Sequence, residues 1–377
     1  MSDTLRILYF TRDHTTHDHR FLSALSGTQH EIFSLRLEAK ERQLEDCPLP
    51  EGIQQVAWAG GRQPAKFRDG LSLLRSLKRV IREVQPDLVH AGPVQKSAFL
   101  TALSGFSPLV SMTWGSDMLV DADRNPLWRW ATRYTLNHSS VLVGDCDAVR
   151  QKAVNFGLSA DRVVTFPWGI DLDQFTPGEG LAFRQQLGWQ DCFVLLSVRS
   201  WEPIYGVDVL VQAFAQAAQE LPDLRLLMLG GGSQEGLLRG YLQEARVLDR
   251  VHFVGQVANR DLPAIYQASD LYISASHSDG SSVSLMEALG CGRPSLLSDI
   301  PGNLEWVTYG KEGWLFPDGD IDALAAGIQK AVQAGENSLR MKKAARELAE
   351  KRADWGENFK MLLTAYDMAI DNVKIHP

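Results

Sequence analysis

The segment DLYISASHSDGSSVSLMEALGCGRPSLLSD (270–299) shows the organisation of the chain most clearly. It opens with an apolar run typical of a strand, passes through a Gly/Ser-rich turn, and continues as an apolar helical stretch. Gly290, Gly292 and Pro294 end that helix, and a second apolar run follows them. Because a strand, a helix and a strand in this order form a parallel crossover, the segment predicts a βαβ unit.

The same alternation extends over the whole chain. Further strands are predicted at 5–10, 31–37, 87–92, 108–114, 141–145, 163–168, 192–198, 224–230 and 251–256. Helical stretches are predicted at 66–84, 96–104, 126–137 and over most of 320–372. Strands that alternate with helices are typical of α/β folds, in which a parallel sheet is covered on both faces.

A break rich in Gly, Asp and Pro at 169–180 divides this pattern. It predicts a Rossmann-like N-terminal domain over 1–177 and a second Rossmann-like domain over 178–356, with a helix at about 357–377 that packs back on the first. A length of 377 residues is also typical of two domains. Because doubly wound sheets bind ligands at the carboxyl ends of their strands, we expect the domains to face each other across a cleft.

The composition narrows the class of protein. A hydrophobic fraction of 45% and a charged fraction of 22% are typical of a globular chain. The sequence has no apolar run of 18 residues and no secretory pattern at its start, which argues against a membrane span and a signal peptide. The net charge of −8 argues against nucleic-acid binding. The scattered cysteines predict reduced thiols and a cytoplasmic location: Cys47, Cys146, Cys192 and Cys291.

The turn and helix at 277–290 carry the clearest chemical signal. A helix that opens after a strand presents free backbone N–H groups and the positive end of its dipole, which suits a phosphate. Asp279 precedes this helix and Glu287 lies about two turns along it. Carboxylates at these positions are suited to accept hydrogen bonds from sugar and ribose hydroxyls.

The segment resembles the retaining family-4 glycosyltransferases, which have the GT-B fold. Asp279 and Glu287 have the family's spacing of an acid, seven residues and Glu, and LMEALGCGRP (285–294) is similar to the sequence that follows in that family. The resemblance implies that Glu287 binds the donor ribose and Asp279 the sugar hydroxyls. It also implies that a run of backbone amides binds the diphosphate: Gly280, Ser281 and Ser282.

Neighbouring segments extend the resemblance. In LSVRSWEPIYG (196–206), Arg199 matches the family's diphosphate-binding Arg, and Tyr205 stands where the family has Lys. Val257 lies where the backbone would approach the base. In the N-terminal half, VHAGPVQKS (89–97) and SMTWGSDML (111–119) resemble loops that face the donor sugar and the acceptor.

This resemblance makes Trp114 and Asp117 candidate cleft residues. His17 is a candidate acceptor contact, together with His14 and His19 in the segment 11–20, where the family's glycine pair is replaced. These histidines are equally typical of a polar loop, and Trp114 of simple packing.

Each signal has an alternative interpretation. Asp279 is also typical of a helix cap, Glu287 of a solvated helix face, and Arg199 of a surface ion pair. Asp-x-Asp pairs at 121/123, 145/147, 171/173 and 318/320 fit a metal site less well than caps and turns, so no metal is expected. Three glycines at 230–232 lack the full dinucleotide fingerprint.

The resemblance implies retaining, metal-independent transfer of a sugar from a UDP- or GDP-linked donor to a hydroxyl, with no cofactor. The acceptor would be a glycan, a lipid-linked molecule or a small molecule, as in cell-envelope or glycan biosynthesis. The alternatives are a nucleotide-sugar 2-epimerase and a non-catalytic sugar-nucleotide-binding protein.

The helix predicted at 66–84 bears on whether the protein contacts a membrane surface. Four of its basic residues form one stripe, namely Arg68, Arg75, Arg79 and Arg82, with Lys78 close by. Phe67, Leu71, Leu74 and Ile81 are expected to form its apolar face. Such a helix is usually a solvated surface element, and it also fits weak peripheral contact with the inner face of a membrane.

Overall fold

The computed structural model describes residues 4–39 and 48–375, so Cys47 lies outside the described residues. The chain divides into two compact units. Unit 1 runs to Phe166 and resumes at Phe359, and unit 2 is Pro167–Asn358.

Unit 1 contains a seven-stranded sheet in the order β3-β2-β1-β4-β5-β6-β7, with every pair parallel. Its strands are β1 Arg6–Thr11, β2 Glu31–Arg36, β3 Gln54–Gln55, β4 Leu88–Gly92, β5 Leu109–Met112, β6 Val141–Gly144 and β7 Val163–Thr165. Its helices are α1 Thr16–Ser26, α2 Gly70–Val84, α3 Phe99–Ser104, α4 Ser116–Leu119, α5 Pro126–His138 and α6 Asp147–Asn155.

Unit 2 repeats this organisation with six parallel strands in the order β10-β9-β8-β11-β12-β13. Its strands are β8 Phe193–Val198, β9 Leu224–Leu229, β10 Val251–Gly255, β11 Leu271–Ser274, β12 Ser295–Ser298 and β13 Gly313–Phe316. Its helices are α7 Leu181–Leu187, α8 Val207–Glu220, α9 Glu235–Glu244, α10 Leu262–Gln267, α11 Val283–Gly290, α12 Pro301–Leu304, α13 Ile321–Val332 and α14 Glu336–Arg352. The last helix, α15, is Trp355–Ile375.

The predicted strands and helices agree closely with the observed ones, and the sequence pattern missed two strands. Both omitted strands are short: β3 is an exposed pair of glutamines at a sheet edge, and β13 is a four-residue edge strand. The stretch predicted as a helix at 96–104 begins within a π-helical turn, Val94–Ala98, and continues as α3.

The boundary between the units lies at Phe166, whereas the sequence pattern places it at residue 177. Residues 167–177 belong to unit 2 because Ile170 and Phe175 are buried in its core. Ile170 also forms a bridge with Asp354, and the guanidinium of Arg346 donates to the Phe175 carbonyl at 2.7 Å. From Phe359 onward α15 belongs to unit 1, where the Tyr366 hydroxyl lies 2.7 Å from His90 Nδ1.

The expected apolar face of the helix at 66–84 is wrong. The helix α2 begins at Gly70, after a 3₁₀ turn at Phe67–Asp69, and buries Leu73, Leu77, Val80 and Val84. Spacings of 4, 3 and 4 residues form one face, which turns Leu71 outward, with 70% of its surface exposed. Leu74 and Ile81 lie at the margin and are partly buried.

None of the helices within residues 4–39 and 48–375 combines the length and the apolar character that a membrane span requires. Among the cysteines in those ranges, Cys146 and Cys291 are buried, Cys192 is partly buried, and none of the three is in a disulfide bond. Burial raises the pKa of the Cys291 thiol to about 12, so this thiol stays protonated near neutral pH.

Candidate functional site

The strand order of unit 2 reverses direction between β8 and β11, which lie side by side in the sheet. Such a reversal opens a crevice at the carboxyl ends of the two strands, where ligands of doubly wound folds bind. Arg199 directly follows β8, and Asp279 lies five residues after β11. Arg199 is the candidate diphosphate-binding residue and Asp279 the candidate sugar-binding residue. The two therefore lie on either side of one crevice.

Arg199 and Asp279 form an ion pair, in which Nη2 of Arg199 donates to Oδ2 of Asp279. Nε and Nη2 of the same guanidinium donate to the Ser276 hydroxyl at 3.2 and 3.0 Å, and Nη1 donates to the Ser282 hydroxyl at 3.0 Å. The Arg199 side chain is 11% exposed and that of Asp279 is 21% exposed. Arg199 is therefore a fixed, largely buried cation and not a surface ion-pair partner.

The Tyr205 ring packs against the guanidinium of Arg199. Its ring centroid is 4.7 Å from Cζ of Arg199, within the range of a cation–π contact. Gly206, which follows it, adopts a positive φ of 56°, and a Cβ there would lie 2.0 Å from the Ala275 carbonyl oxygen. Glycine is therefore required for this close approach between the loop and the end of β11. Tyr205 adds no second charge here, and it supports the guanidinium of Arg199.

The helix α11 begins beside Arg199. Ser282 is its N-cap residue and makes no side-chain capping bond, so the first-turn N–H groups of α11 have no cap from this residue. The Gly280 amide donates to Asp279 Oδ1 at 3.0 Å, and the Ser281 hydroxyl accepts from the Trp306 indole at 3.0 Å. Ser282 thus contacts Arg199, and Gly280 and Ser281 directly precede it in the chain.

Glu287 is buried on α11, which excludes the interpretation of a solvated helix residue. Its Oε2 accepts a hydrogen bond from the Tyr266 hydroxyl at 2.7 Å. Tyr266 is fully buried, and both burial and the Glu287 carboxylate raise the pKa of its phenol. Tyr266 therefore remains a donor to Glu287 over the physiological range of pH and fixes the direction of the carboxylate.

We refer to Arg199, Tyr205, Asp279, Gly280–Ser282 and Glu287 as the unit 2 site. Val257 follows β10, which is separated from β8 by β9, so it stands two strands away from Arg199. Within residues 4–39 and 48–375, no group of three or more His, Cys, Asp or Glu side chains is arranged to hold a metal ion. Asp318 instead pairs with His277 at 2.7 Å, and Asp320 caps α13.

In unit 1 the strand order reverses between β1 and β4. His17, in the first turn of α1, stacks on Trp114 with ring centroids 5.9 Å apart and an interplanar angle of 29°. Burial lowers the pKa of His17 to about 4, so its imidazole is neutral at pH 7. The structure thus brings His17 and Trp114 together at the carboxyl edge of the unit 1 sheet.

Asp117 is buried and connects the loops that follow β4 and β5. Its carboxylate accepts from the Val94 amide at 2.9 Å, the Trp114 amide at 2.8 Å and the Thr113 hydroxyl at 2.5 Å. Burial raises the pKa of this carboxyl group, against the effect of these hydrogen bonds. Asp117 therefore holds the backbone that carries Trp114.

Two parallel, doubly wound α/β units with a site at the carboxyl edge of each sheet define the GT-B class expected from the sequence. Residues 6–145 match the family described as glycosyl transferase 4-like, and residues 181–348 match glycosyl transferases group 1. The two matched segments together span most of the chain, so the chain belongs to the glycosyltransferases that these two families describe.

Among its relatives is a D-inositol 3-phosphate glycosyltransferase of Stackebrandtia nassauensis, which is 30% identical over 227 residues, or 58% of this chain and 51% of the relative. The D-inositol 3-phosphate glycosyltransferase 2 of Catenulispora acidiphila is 28% identical over 304 residues, or 76% of this chain and 63% of the relative. The chain thus spans about half to two thirds of the length of these two relatives.

Solved structures show the same fold. Anabaena Alr3699/HepE in complex with UDP-glucose is 20% identical with a TM-score of 0.78, and the match covers 96% of this chain and all of that one. Sucrose-phosphate synthase from Thermosynechococcus elongatus is 18% identical with a TM-score of 0.77, and the match covers 96% and 98% of the two chains. The GT-B fold predicted from the sequence is confirmed.

Proposed function

We propose that this chain transfers a sugar from a nucleotide-diphosphate sugar to an acceptor hydroxyl, with retention of configuration at the anomeric carbon and without a metal ion. The observation that carries the proposal is the buried cation of Arg199, held at the crevice between β8 and β11 beside the first turn of α11. A fixed positive charge beside the N–H groups at a helix N-terminus suits a diphosphate leaving group. The structural neighbour HepE was solved in complex with UDP-glucose, which supports a nucleotide-sugar donor for this chain.

The proposed step is a substitution on one face of the sugar. The bond between the anomeric carbon and the diphosphate oxygen breaks, and its electron pair leaves with the diphosphate, whose growing charge Arg199 stabilises. The acceptor oxygen bonds to the anomeric carbon on the same face, and its proton passes to the departing phosphate oxygen. Asp279 is paired with Arg199 and is therefore not a free base, which supports a mechanism that uses the phosphate oxygen.

We expect transfer to persist after exhaustive chelation, because the fixed cation takes the place of a divalent ion at the leaving group. The measurement is product formation from UDP- and GDP-sugars with EDTA, and the anomeric coupling constant of the product by proton NMR reports its configuration. Loss of activity that magnesium or manganese restores would contradict metal independence. An inverted product would contradict retention, and a free 2-epimer without an acceptor would favour the epimerase alternative.

Glu287 is proposed to bind the donor ribose, a part of the donor that does not change during the reaction. Glu287→Gln is therefore expected to raise the donor KM about tenfold or more with a smaller effect on kcat, since the interaction is equal in ground and transition states. Tyr266→Phe removes the hydroxyl that orients Glu287 and should change the same parameter less strongly. The matched control is Tyr241→Phe, on the partly buried face of α9. Equal KM values in Glu287→Gln and the unchanged chain would contradict the ribose assignment.

The acceptor is proposed to bind at the carboxyl edge of the unit 1 sheet, where His17 and Trp114 form a stacked pair and Asp117 fixes the loop. The classes of acceptor are a glycan, a lipid-linked molecule or a small molecule. Two relatives are named D-inositol 3-phosphate glycosyltransferases. These names support a small hydroxyl-rich acceptor.

We also propose weak contact of unit 1 with an anionic membrane surface. Arg68, Arg75, Lys78, Arg79 and Arg82 are exposed on or just before α2, and Leu71 projects beside them. Co-sedimentation at low salt should show more protein bound to vesicles containing phosphatidylglycerol than to neutral vesicles. Arg75→Glu with Arg79→Glu should abolish the difference, whereas Lys343→Glu in unit 2 should not. No preference for anionic vesicles at low salt would contradict this contact.

A further inference from the structure

Unit 2 has a second concave surface at the opposite edge of its sheet from the unit 2 site. A groove of about 890 Å³ lies beside α14 and the segment Cys291–Arg293, and Asp270, directly before β11, also lines it. The unit 2 site lies after the carboxyl ends of β8 and β11, whereas Asp270 and Arg293 precede the amino ends of β11 and β12. The groove has the size of a small-molecule site and shares no residue with the unit 2 site.

Most of the charges that line this groove are paired with each other. Arg184 pairs with Asp270 at 2.6 Å, and Arg346 pairs with Glu350 at 2.7 Å. The exposed Lys343 lies 3.7 Å from Glu347. Within residues 4–39 and 48–375, two cations of the groove have no ion pair, namely Arg293 and Lys342. Among the carboxylates that line the groove, the exposed Glu179 also has no ion pair in those ranges.

Arg293 is buried without a carboxylate partner. Its Nε donates to the Cys291 carbonyl at 3.0 Å, Nη1 donates to the Ser269 carbonyl at 2.8 Å, and Nη2 donates to the Gly178 carbonyl. These bonds fix the guanidinium and leave two of its five N–H groups for another acceptor. Burial lowers the pKa of Arg293, whereas the nearby carboxylates of Asp270 and Glu179 raise it, and Asp270 is already paired with Arg184.

Lys342 adds a second cation at the same place. It is partly buried, and its ammonium group has no hydrogen bond or ion pair with the part of the chain that the structure describes. Burial lowers the pKa of Lys342, and the positive charge of Arg293 lowers it further. Two neighbouring cations, one fixed and one on a flexible stem, therefore share one concave surface.

We propose that this groove binds a small soluble molecule through a phosphate group, held between Lys342 and Arg293. A phosphate monoester carries close to two negative charges at neutral pH and presents three acceptor oxygens, which match the ammonium group and the free N–H groups of the guanidinium. The assignment of this second site does not depend on the activity proposed for the unit 2 site.

The groove and the unit 2 site share the helix α11. Gly292, just after this helix, adopts a positive φ of 65°, and a Cβ there would lie 3.3 Å from the Lys342 carbonyl oxygen. Arg346 of α14 donates to the Gly290 carbonyl, at the last residue of α11, at 2.8 Å. A phosphate on Lys342 and Arg293 is thus held at the carboxyl end of the helix whose first turn lies beside Arg199.

The test is isothermal titration calorimetry of the full chain with inorganic phosphate and with glucose 6-phosphate, up to about 10 mM, the range of weak specific binding. Arg199→Ala serves as a second background, because it weakens any phosphate binding at the unit 2 site. We expect binding to persist in Arg199→Ala and to weaken at least about tenfold in Lys342→Met, since a charge-assisted hydrogen bond is lost. Lys342→Arg keeps the charge and should keep binding.

The matched control is Lys330→Met, which removes an exposed lysine on α13 that does not line the groove and should leave binding unchanged. Melting curves of all variants establish that they are folded. The proposal is overturned if neither phosphate binds, if Lys342→Met binds as tightly as the unchanged chain, or if Arg199→Ala alone abolishes binding.

Discussion

Replacing Arg199 with alanine is expected to lower kcat for sugar transfer by about 100- to 1,000-fold. Loss of one preorganised donor to a developing negative charge has an effect of this size on catalysis. The charge on the leaving diphosphate is greatest in the transition state, so kcat should fall more than the donor KM rises. Steady-state kinetics with the preferred nucleotide sugar measures both parameters.

The control for this variant is Arg239→Ala. Arg239 is on α9, where it pairs with Glu235 and lies over the ring of Phe253, away from the unit 2 site. Its loss should leave kcat within about twofold, as is usual for a surface substitution. A folded Arg199→Ala variant that transfers sugar at the unchanged rate would remove Arg199 from the mechanism.

Asp279→Asn is expected to lower kcat by about 10- to 150-fold. It keeps the shape of the side chain but removes a charge that favours the positive anomeric carbon, and a charge-assisted hydrogen bond contributes about 1.5–3 kcal/mol. In the structure the same carboxylate pairs with Arg199. Its removal leaves more of the Arg199 charge for the diphosphate, so the affinity for UDP or GDP should stay the same or increase. Wild-type kcat and KM in this variant would contradict the assignment.

A double-mutant cycle separates the two ways in which Asp279 can act. If Asp279 contacts the sugar directly, Arg199→Ala and Asp279→Asn should have nearly additive effects on kcat. If it acts by orienting the guanidinium, the double variant should be no slower than Arg199→Ala alone. The hydroxyls of Ser276 and Ser282 also hold Arg199, which favours the direct role.

The sequence predicted most of the strands because the central strands of both units are buried on both faces. Runs such as FVLLSV at β8 and LRLLML at β9 contain one polar or charged residue each, Ser197 and Arg225, and are otherwise apolar. Amphipathic helices separate them, so the sequence pattern alone locates these strands. The pattern missed β3 because two exposed glutamines carry no apolar signal. It misjudged the buried face of α2 because both faces of that helix carry leucines, and only packing on the sheet selects Leu73 and Leu77 over Leu71.

The sequence proposed the residues of the unit 2 site but not the contacts that they make. The positions of Arg199 and Asp279 follow from the ends of β8 and β11 and from the family resemblance. Their ion pair depends on strand order, which places two segments 80 residues apart in sequence side by side. Ser276 and Tyr266 were not predicted because serine at a strand end and tyrosine in a helix are common, and neither belongs to the motif of an acid, seven residues and Glu at 279–287.

The central claim is tested most directly by calorimetric measurement of the affinities for UDP and GDP, each compared with the affinity for its nucleoside. The measurement is made on the unchanged chain and on Arg199→Ala. The claim is that Arg199 and the first turn of α11 bind the diphosphate of the donor. One of the two diphosphates should therefore bind at least about 100-fold more tightly than its nucleoside, since it adds several charge-assisted hydrogen bonds. Arg199→Ala should reduce this ratio by at least about tenfold and leave nucleoside affinity unchanged. Equal affinities for diphosphate and nucleoside, or an unchanged ratio in the variant, would contradict the account.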